Sequence, residues 1–245
     1  MLLGEVHDNA AQHALRARAL RALVAGGARP ALLMEQFDRE RQADLDRAMA
    51  RPGATADEVI AAATPSGPAT QGWPWALYRP YVALALDYRL PLVAANVSRA
   101  DTRRIAADGL AAHGFDARVP DDIAAAQARA MVDSHCGLID ASRAGGLVAA
   151  QVARDQFMAR SVERHAARGA VLLAGNGHVR TDIGVPRWLR PAMRAQSVSI
   201  GMPESGLPSP AVYDVAVATP PQPRPDPCAG STGPSRQGLK KGEGG

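Results

Sequence analysis

Four ionisable residues follow short apolar runs: Glu5 and His7 in LLGEVH, Glu35 in ALLME, and His178 in VLLAGNGH. A carboxylate set directly after an apolar strand is costly to bury without a partner. Glu5 and Glu35 therefore call for a histidine, a hydrogen-bond donor or a metal ion beside them. His7 and His178 share one spacing, Gly-x-x-His, at Gly4–His7 and Gly175–His178. The glycines let the backbone turn sharply and approach a neighbouring group closely. Either motif alone is a common accident, and a loop histidine often does no more than bond a carbonyl. Two of them at strand ends, accompanied by Glu35, form a constellation.

The elements that must position these residues alternate between apolar runs and amphipathic stretches. That pattern predicts an α/β fold with a largely parallel central sheet flanked by helices. The expected strands are Leu2–Gly4, Ala31–Met34, Leu92–Ala95, Val171–Ala174 and Ser197–Ile200, with Val212–Val217 at an edge. Residues 10–24 read as a helix capped by Asp8 or Asn9, and Pro74 opens another over Trp75–Tyr88. Asp121–Met131 and Leu147–Ala167, parted by Gly145 and Gly146, suggest a helical hairpin inserted in this frame. Residues 1–218 then form one domain, and 219–245, dominated by Pro, Gly and Ser, form a disordered tail. In an open parallel sheet, the strand ends face a common crevice. Glu5, His7, Glu35, Asn96, Asn176 and His178 are accordingly expected on one rim.

Composition narrows the function classes. An apolar fraction of 47% and a charged fraction of 21% suit a soluble globule. The net charge of +4 comes from scattered arginines, which argues against nucleic acid as a partner. No apolar run approaches the roughly 20 residues that cross a bilayer. The first expected strand is shorter than the usual span of about 5 residues. A longer natural N-terminus, with any export signal or lipid anchor, is therefore expected to be missing. Cys136 and Cys228 lie in such different settings that a disulfide between them is not expected, and Cys136 reads as a small buried hydrophobe. No phosphate-binding loop, dinucleotide turn or nucleophile elbow is present.

The aromatic residues are few, 4% of the chain, yet Trp73, Trp75, Tyr78 and Tyr81 lie together. Tyr78 and Tyr81 fall on one helical face, and the cluster offers a flat apolar surface that is expected to be exposed. Packing of this helix on the sheet would explain the same residues. Arg79, Arg99 and Arg180 stand near the expected cavity and could pair with carboxylates, although each also suits a solvated surface. His13, His113 and His165 have no constellation around them and are assigned to surface or packing roles.

The segments LLGEVHDN, MEQFDR, GWPWALYRPY, DSHCGL and GNGHVRTDIGVPRWL occur in the order in which they resemble the ChaN haem-binding proteins of the Tiki superfamily. The resemblance spans residues 2–200 and is most specific in its first and last segments. It implies haem as cofactor, a role in haem or iron uptake, a homodimer holding the haem at its interface, and a cell-envelope location with a lipid anchor or an outer-membrane receptor as partner. It also implies a tyrosine toward the iron, with Tyr78 and Tyr81 both left as candidates, and His135 lies in a segment that matches it. With haem as the ligand, Arg79, Asn176, His178 and Arg180 are the further residues expected around it from their place near the strand-end cavity. For the superfamily's proteases, it implies a divalent metal ion at Glu5, His7, Glu35 and His178. The alternative to a haem carrier is thus a metal-dependent hydrolase in which Glu5 or Glu35 serves as general base.

Overall fold

A computed structural model describes residues 1–64, 72–136, 138–139, 141–204, 211–225 and 228–229, with 141–143 described for the backbone alone. Its six-stranded sheet comprises β1 (Leu2–Leu3), β2 (Ala31–Asp38), β3 (Leu92–Asn96), β4 (Ala170–Leu173), β5 (Ser199–Gly201) and β6 (Val215–Ala216). They are ordered β3-β2-β4-β1-β5-β6, and every neighbouring pair is parallel. This is the α/β class that the alternating pattern predicts, and β6 takes its expected edge position.

The strands are apolar on both faces because both faces are covered. Leu3, Leu32, Met34 and Leu173 pack with Leu20, Val24, Tyr78 and Tyr81 of α1 (Ala10–Ala25) and α4 (Trp75–Asp87). Leu2, Leu33, Leu172 and Ala174 pack on the opposite side with Met158, Ala159 and Val162 of α7 (Ala141–Arg164). The period-2 alternation of strands thus assigns successive residues to two cores. Burying each leucine contributes about 1.5–3 kcal/mol.

The helices begin where the local chemistry allows. Asn9 caps α1 by accepting from the Gln12 amide at 3.1 Å, as expected. Thr55 and Glu58 form a reciprocal capping box for α3 (Ala56–Ala63), which follows α2 (Gln42–Met49). Ser98 caps α5 (Arg99–Asp108). The helical hairpin is α6 (Asp121–Ser134) against α7, but its break falls after Ser134. Gly145 and Gly146 continue α7, and Gly146 packs closely on Ala106 of α5. A short α8 (Pro191–Ala195) precedes β5. Among the described residues, no helix is long and apolar enough to cross a membrane.

Two expectations about the C-terminal part need correction. Cys136 and Cys228 form a disulfide, with their α-carbons 5.5 Å apart. Sequence setting misled because residues 219–224 return to the start of α1. There Thr219 accepts from Gln12, the Pro220 carbonyl accepts from Asn9, and Arg224 pairs with Asp8 and Glu204. Of the expected tail, these residues are bonded to the domain; 230–245 lie outside the described residues.

Candidate functional site

Glu5 and Glu35 leave the sheet on opposite faces, following the alternation of the strands that carry them. Glu5, two residues beyond Leu3, turns toward α1 and α4. Its Oε1 accepts from the Tyr78 hydroxyl at 2.8 Å and from His7 Nδ1 at 2.7 Å. Oε2 lies 2.6 Å from His13 Nε2 and 3.6 Å from Arg16 Nη1. Arg16 is fully buried, also donates to the Leu3 carbonyl at 3.2 Å, and lies over the Tyr81 ring. Burial works to raise the Glu5 carboxyl, but His13, His7 and Arg16 outweigh it and hold it well below the usual range.

Glu35 turns toward α7. Its Oε2 accepts from the Gly175 amide at 2.7 Å, and Oε1 lies 3.3 Å from His178 Nε2. On the far side of the ring, His178 Nδ1 is 2.6 Å from Asp155 Oδ1. Gln127 donates to the other Asp155 oxygen at 3.3 Å, and the Gln151 amide lies 3.1 Å from His178 Nδ1. Burial opposes charge on His178, yet Glu35 and Asp155 outweigh it and raise the imidazole to about 10. Burial likewise opposes charge on Glu35, which His178 and His7 nevertheless hold down at about 2. Asp155 is pushed up by burial to about 6 against the attraction of His178.

The two clusters meet at the glycine–histidine turns. The Asn176 amide donates to the Glu5 carbonyl at 2.8 Å, so the loop after β4 continues the pairing with β1. A β-carbon on Gly175 would stand 2.8 Å from His7 Cε1 and 3.7 Å from Glu35 Oε2. One on Gly4 would stand 2.7 Å from Val179 and collide with the Asn176 side chain. The first glycine of each motif is therefore required by the closeness of the other loop. His7 is the outermost member, with its side chain 45% exposed and its ring edge-on to Trp73 at 4.7 Å. Burial opposes its charge, while Glu5 and Glu35 raise it above its ordinary value. His7, Glu35, Trp73 and Trp75 line a cavity of about 310 Å³ at the rim. A larger groove of about 1260 Å³ runs along β3 beside Leu92, Phe157 and His165, away from these clusters.

The geometry redistributes the expected residues. Glu5, His7, Glu35 and His178 come together as the strand-end reading requires. Tyr78 and Tyr81 are fully buried, contrary to their expected exposure. Their hydroxyls donate to Glu5 and to the His13 carbonyl, because the packing reading of α4 is the one the sheet realises. Arg79 points away and pairs with Asp57, and Arg180 pairs with Asp182. His135 is exposed and bonds the Met131 carbonyl at the end of α6. Asn176 is structural, its amide exchanging two hydrogen bonds with the backbone of Met202. Arg99 does line the cavity. His113 and His165 take local bonds as expected, to Asp108 and to the Ser161 carbonyl. Cys136 is half-buried in its disulfide, not a buried thiol.

Sequence reasoning missed His13, Arg16 and Asp155. A signal existed: His13, Arg16, Leu20 and Val24 form one buried stripe of α1. Asp155 falls similarly between the buried Val152 and Met158. A charge on the apolar stripe of a helix marks a buried partner.

The implied divalent metal does not fit this arrangement. The four expected ligands spend their inward-facing atoms on one another and on Tyr78, His13, Asp155 and Gly175. Among the described residues, no group of three or more His, Cys, Asp or Glu is arranged to hold a metal ion.

A parallel α/β sheet with paired histidine–carboxylate clusters on its strand-end rim defines the class of this molecule. The chain belongs to the family described as haem-binding uptake, Tiki superfamily, ChaN, whose model matches residues 1–189. Among solved structures, it is similar to the one described as cofacial heme binding to ChaN of Campylobacter jejuni. Identity there is 21%, coverage is 88% of this chain and 85% of that chain, and the TM-score is 0.71. The type III effector HopBA1 is similar at 14% identity, with coverage of 90% and 87% and a TM-score of 0.50. These two likenesses speak to the fold. No curated protein sequence matches this one.

Proposed function

We propose that this chain binds haem at the strand-end rim and serves haem or iron handling, with His7 as the residue facing the iron. The observation that carries this reading is the setting of His7. Its Nδ1 is held by the buried Glu5 carboxylate, its ring lies against Trp73, and among the described residues its Nε2 has no hydrogen-bond partner. A carboxylate behind an imidazole fixes the tautomer and raises the basicity of the outer nitrogen. Ferric haem supplies an iron that accepts such a donor. Trp73 and Trp75 give the macrocycle an apolar wall, and Tyr78 orients Glu5. Tyr78 suits the role of donor to Glu5 better than that of ligand, because burial first and the charge of Glu5 second drive its hydroxyl far above the ordinary tyrosine range.

Titration of the purified protein with hemin tests this directly. A saturable Soret shift is expected, retained in Tyr78→Phe and Tyr81→Phe and lost in His7→Ala. No saturable shift in the unmodified protein, or an unaltered shift in His7→Ala, overturns the assignment. Further parts of the reading are a homodimer closing the open side of His7 and a cell-envelope location. The Cys136–Cys228 disulfide supports the location, since such bonds persist in oxidising compartments. Sedimentation with and without hemin measures the dimer, and fractionation of cells making the full-length protein tests both location and lipid anchoring. A metal-dependent hydrolase is the weaker reading, because the donors are already used internally. Stoichiometric zinc or manganese in the purified protein, with esterase or peptidase activity abolished by chelation, would restore it.

A further inference from the structure

Residues 219–225 lie against the loop that carries His7. The segment is rich in proline, with Pro220, Pro221, Pro223 and Pro225, which makes it stiff. Among the described residues, none of its side chains enters the apolar cores. Polar contacts hold it instead. Thr219 accepts from Gln12 Nε2 at 2.8 Å, and Gln12 Oε1 accepts from the Val6 amide at 2.6 Å. The Pro220 carbonyl accepts from Asn9 at 3.0 Å. Arg224 forks onto Asp8, Nε to Oδ2 at 3.0 Å and Nη2 to Oδ1 at 2.6 Å, and also pairs with Glu204. The segment thus engages Asp8 and Asn9 directly and Val6 through Gln12, on both sides of His7.

Most of these residues are exposed. Contacts made in water are individually weak, and they persist together only while the far end of the segment is kept close. Cys228, just beyond Arg224, is kept close by its bond to Cys136. Cys136 stands past the end of α6 with φ 59°, a left-handed cap position that favours glycine. A cysteine there forgoes the glycine cap and supplies the sulfur for the bond. α6 in turn supports the His178 cluster, since its Gln127 bonds Asp155 of α7. The disulfide therefore links the hairpin behind His178 to the segment behind His7. Both cysteines are half-buried, and their neighbours His135 and Ala229 are exposed, so a thiol in solution can approach.

We propose that the Cys136–Cys228 bond is a redox latch on the His7 loop. Closed, it keeps residues 219–225 seated and the loop ordered; opened by a dithiol reductant, it frees the segment and weakens ligand binding at His7. In the opening step a thiolate of the reductant attacks one sulfur and the Sγ–Sγ bond breaks. Two electrons and two protons pass to the protein, leaving two cysteine thiols, and the reductant becomes a disulfide. The folded sheet and its cores keep their contacts, so the change in the native state is confined to the loop. Loss of the Arg224 fork also leaves the Asp8 carboxylate unpaired beside His7. The effect on haem rests on the haem reading, whereas the effect on the loop does not.

The experiment uses the whole chain in two forms, disulfide-bonded, and reduced with a dithiol, alkylated at both thiols and freed of reductant. Brief amide hydrogen exchange reads the loop. The amides of Val6 and Asn9 should exchange about tenfold faster in the opened form, a local opening. Those of His178 and Val185, bonded within the opposite turn, should keep their rates. Hemin affinity should fall about two- to tenfold, the scale of ordering one loop side chain on binding. Arg224→Gln, which keeps the bond and removes the fork, should reproduce most of both changes in the closed form. Equal exchange at Val6 and Asn9 in the two forms overturns the latch. So does acceleration spread evenly over His178 and Val185, which would make the bond a general brace. Equal hemin affinity in the two forms, in a protein that binds hemin, likewise overturns it. If circular dichroism shows that the opened form does not fold, Arg224→Gln in the closed form decides. No saturable Soret change in either form removes the haem reading, and exchange alone then decides the latch.

Discussion

Gly175 lies so near His7 that a methyl group on its α-carbon would stand 2.8 Å from the imidazole Cε1. Gly175→Ala is therefore expected to push the two loops apart and destabilise the fold by about 1–3 kcal/mol, the usual scale of overpacking. Hemin binding should weaken in parallel. Gly177, two residues on, has nothing within 4 Å of an added β-carbon, so Gly177→Ala should be near neutral. Urea unfolding of the two variants checks the contrast, and equal midpoints would contradict the close approach.

Arg16 is the buried counter-charge of Glu5. Removing one partner of a buried charged pair leaves the other uncompensated, so Arg16→Met should cost about 3–5 kcal/mol. The double variant Arg16→Met with Glu5→Gln should recover part of that loss. A double-mutant cycle measures the coupling, and strictly additive losses would show that the two do not support each other.

The His178 cluster makes stability depend on pH. Its imidazole rises from an unfolded value of 6.5 to about 10 in the fold, as Glu35 and Asp155 outweigh burial. A raised basic group stabilises fully below its unfolded value, and that support is lost as the pH climbs from 6.5 through about 10. Glu35 is displaced the other way, from 4.5 to about 2, so its support is lost as the pH falls through that interval. Denaturant unfolding across this range should show a falling alkaline limb that flattens in His178→Gln. An unaltered limb in that variant would assign the pH dependence elsewhere.

The disulfide joins positions 92 residues apart, so it removes considerable freedom from the unfolded chain. Reduction, or Cys136→Ser with Cys228→Ser, should lower stability by about 2–5 kcal/mol. Thermal melts with and without a reductant measure this. A melting temperature indifferent to both treatments would mean the bond holds nothing that the rest of the domain does not already hold.

The sheet and the meeting of the two glycine–histidine turns were readable because strand alternation and strand-end chemistry are local. Leu2 and Leu3 already announce two buried faces, and Glu5 and Glu35 announce a polar rim. The partners of those acids were harder to see. His13, Arg16 and Asp155 lie on helices whose docking depends on the whole fold, and only their place on otherwise apolar stripes betrayed them. Tyr78 and Tyr81 were misjudged for the same reason: spacing put them on one face of α4, but only packing decides whether that face meets water or the sheet. Arg79 and Arg180 were drawn to the site by proximity in sequence, whereas nearby aspartates claim them.

The outer edge of β3 is sealed by one side chain. Gln42 donates to the Leu92 carbonyl at 3.0 Å and accepts from the Ala94 amide at 2.7 Å, filling the positions that a neighbouring strand would occupy. A glutamine there acts as a stopper against sheet-to-sheet docking. Two copies of this chain that associate are thereby steered away from a continuous intermolecular ladder along that border and toward contacts made by side chains.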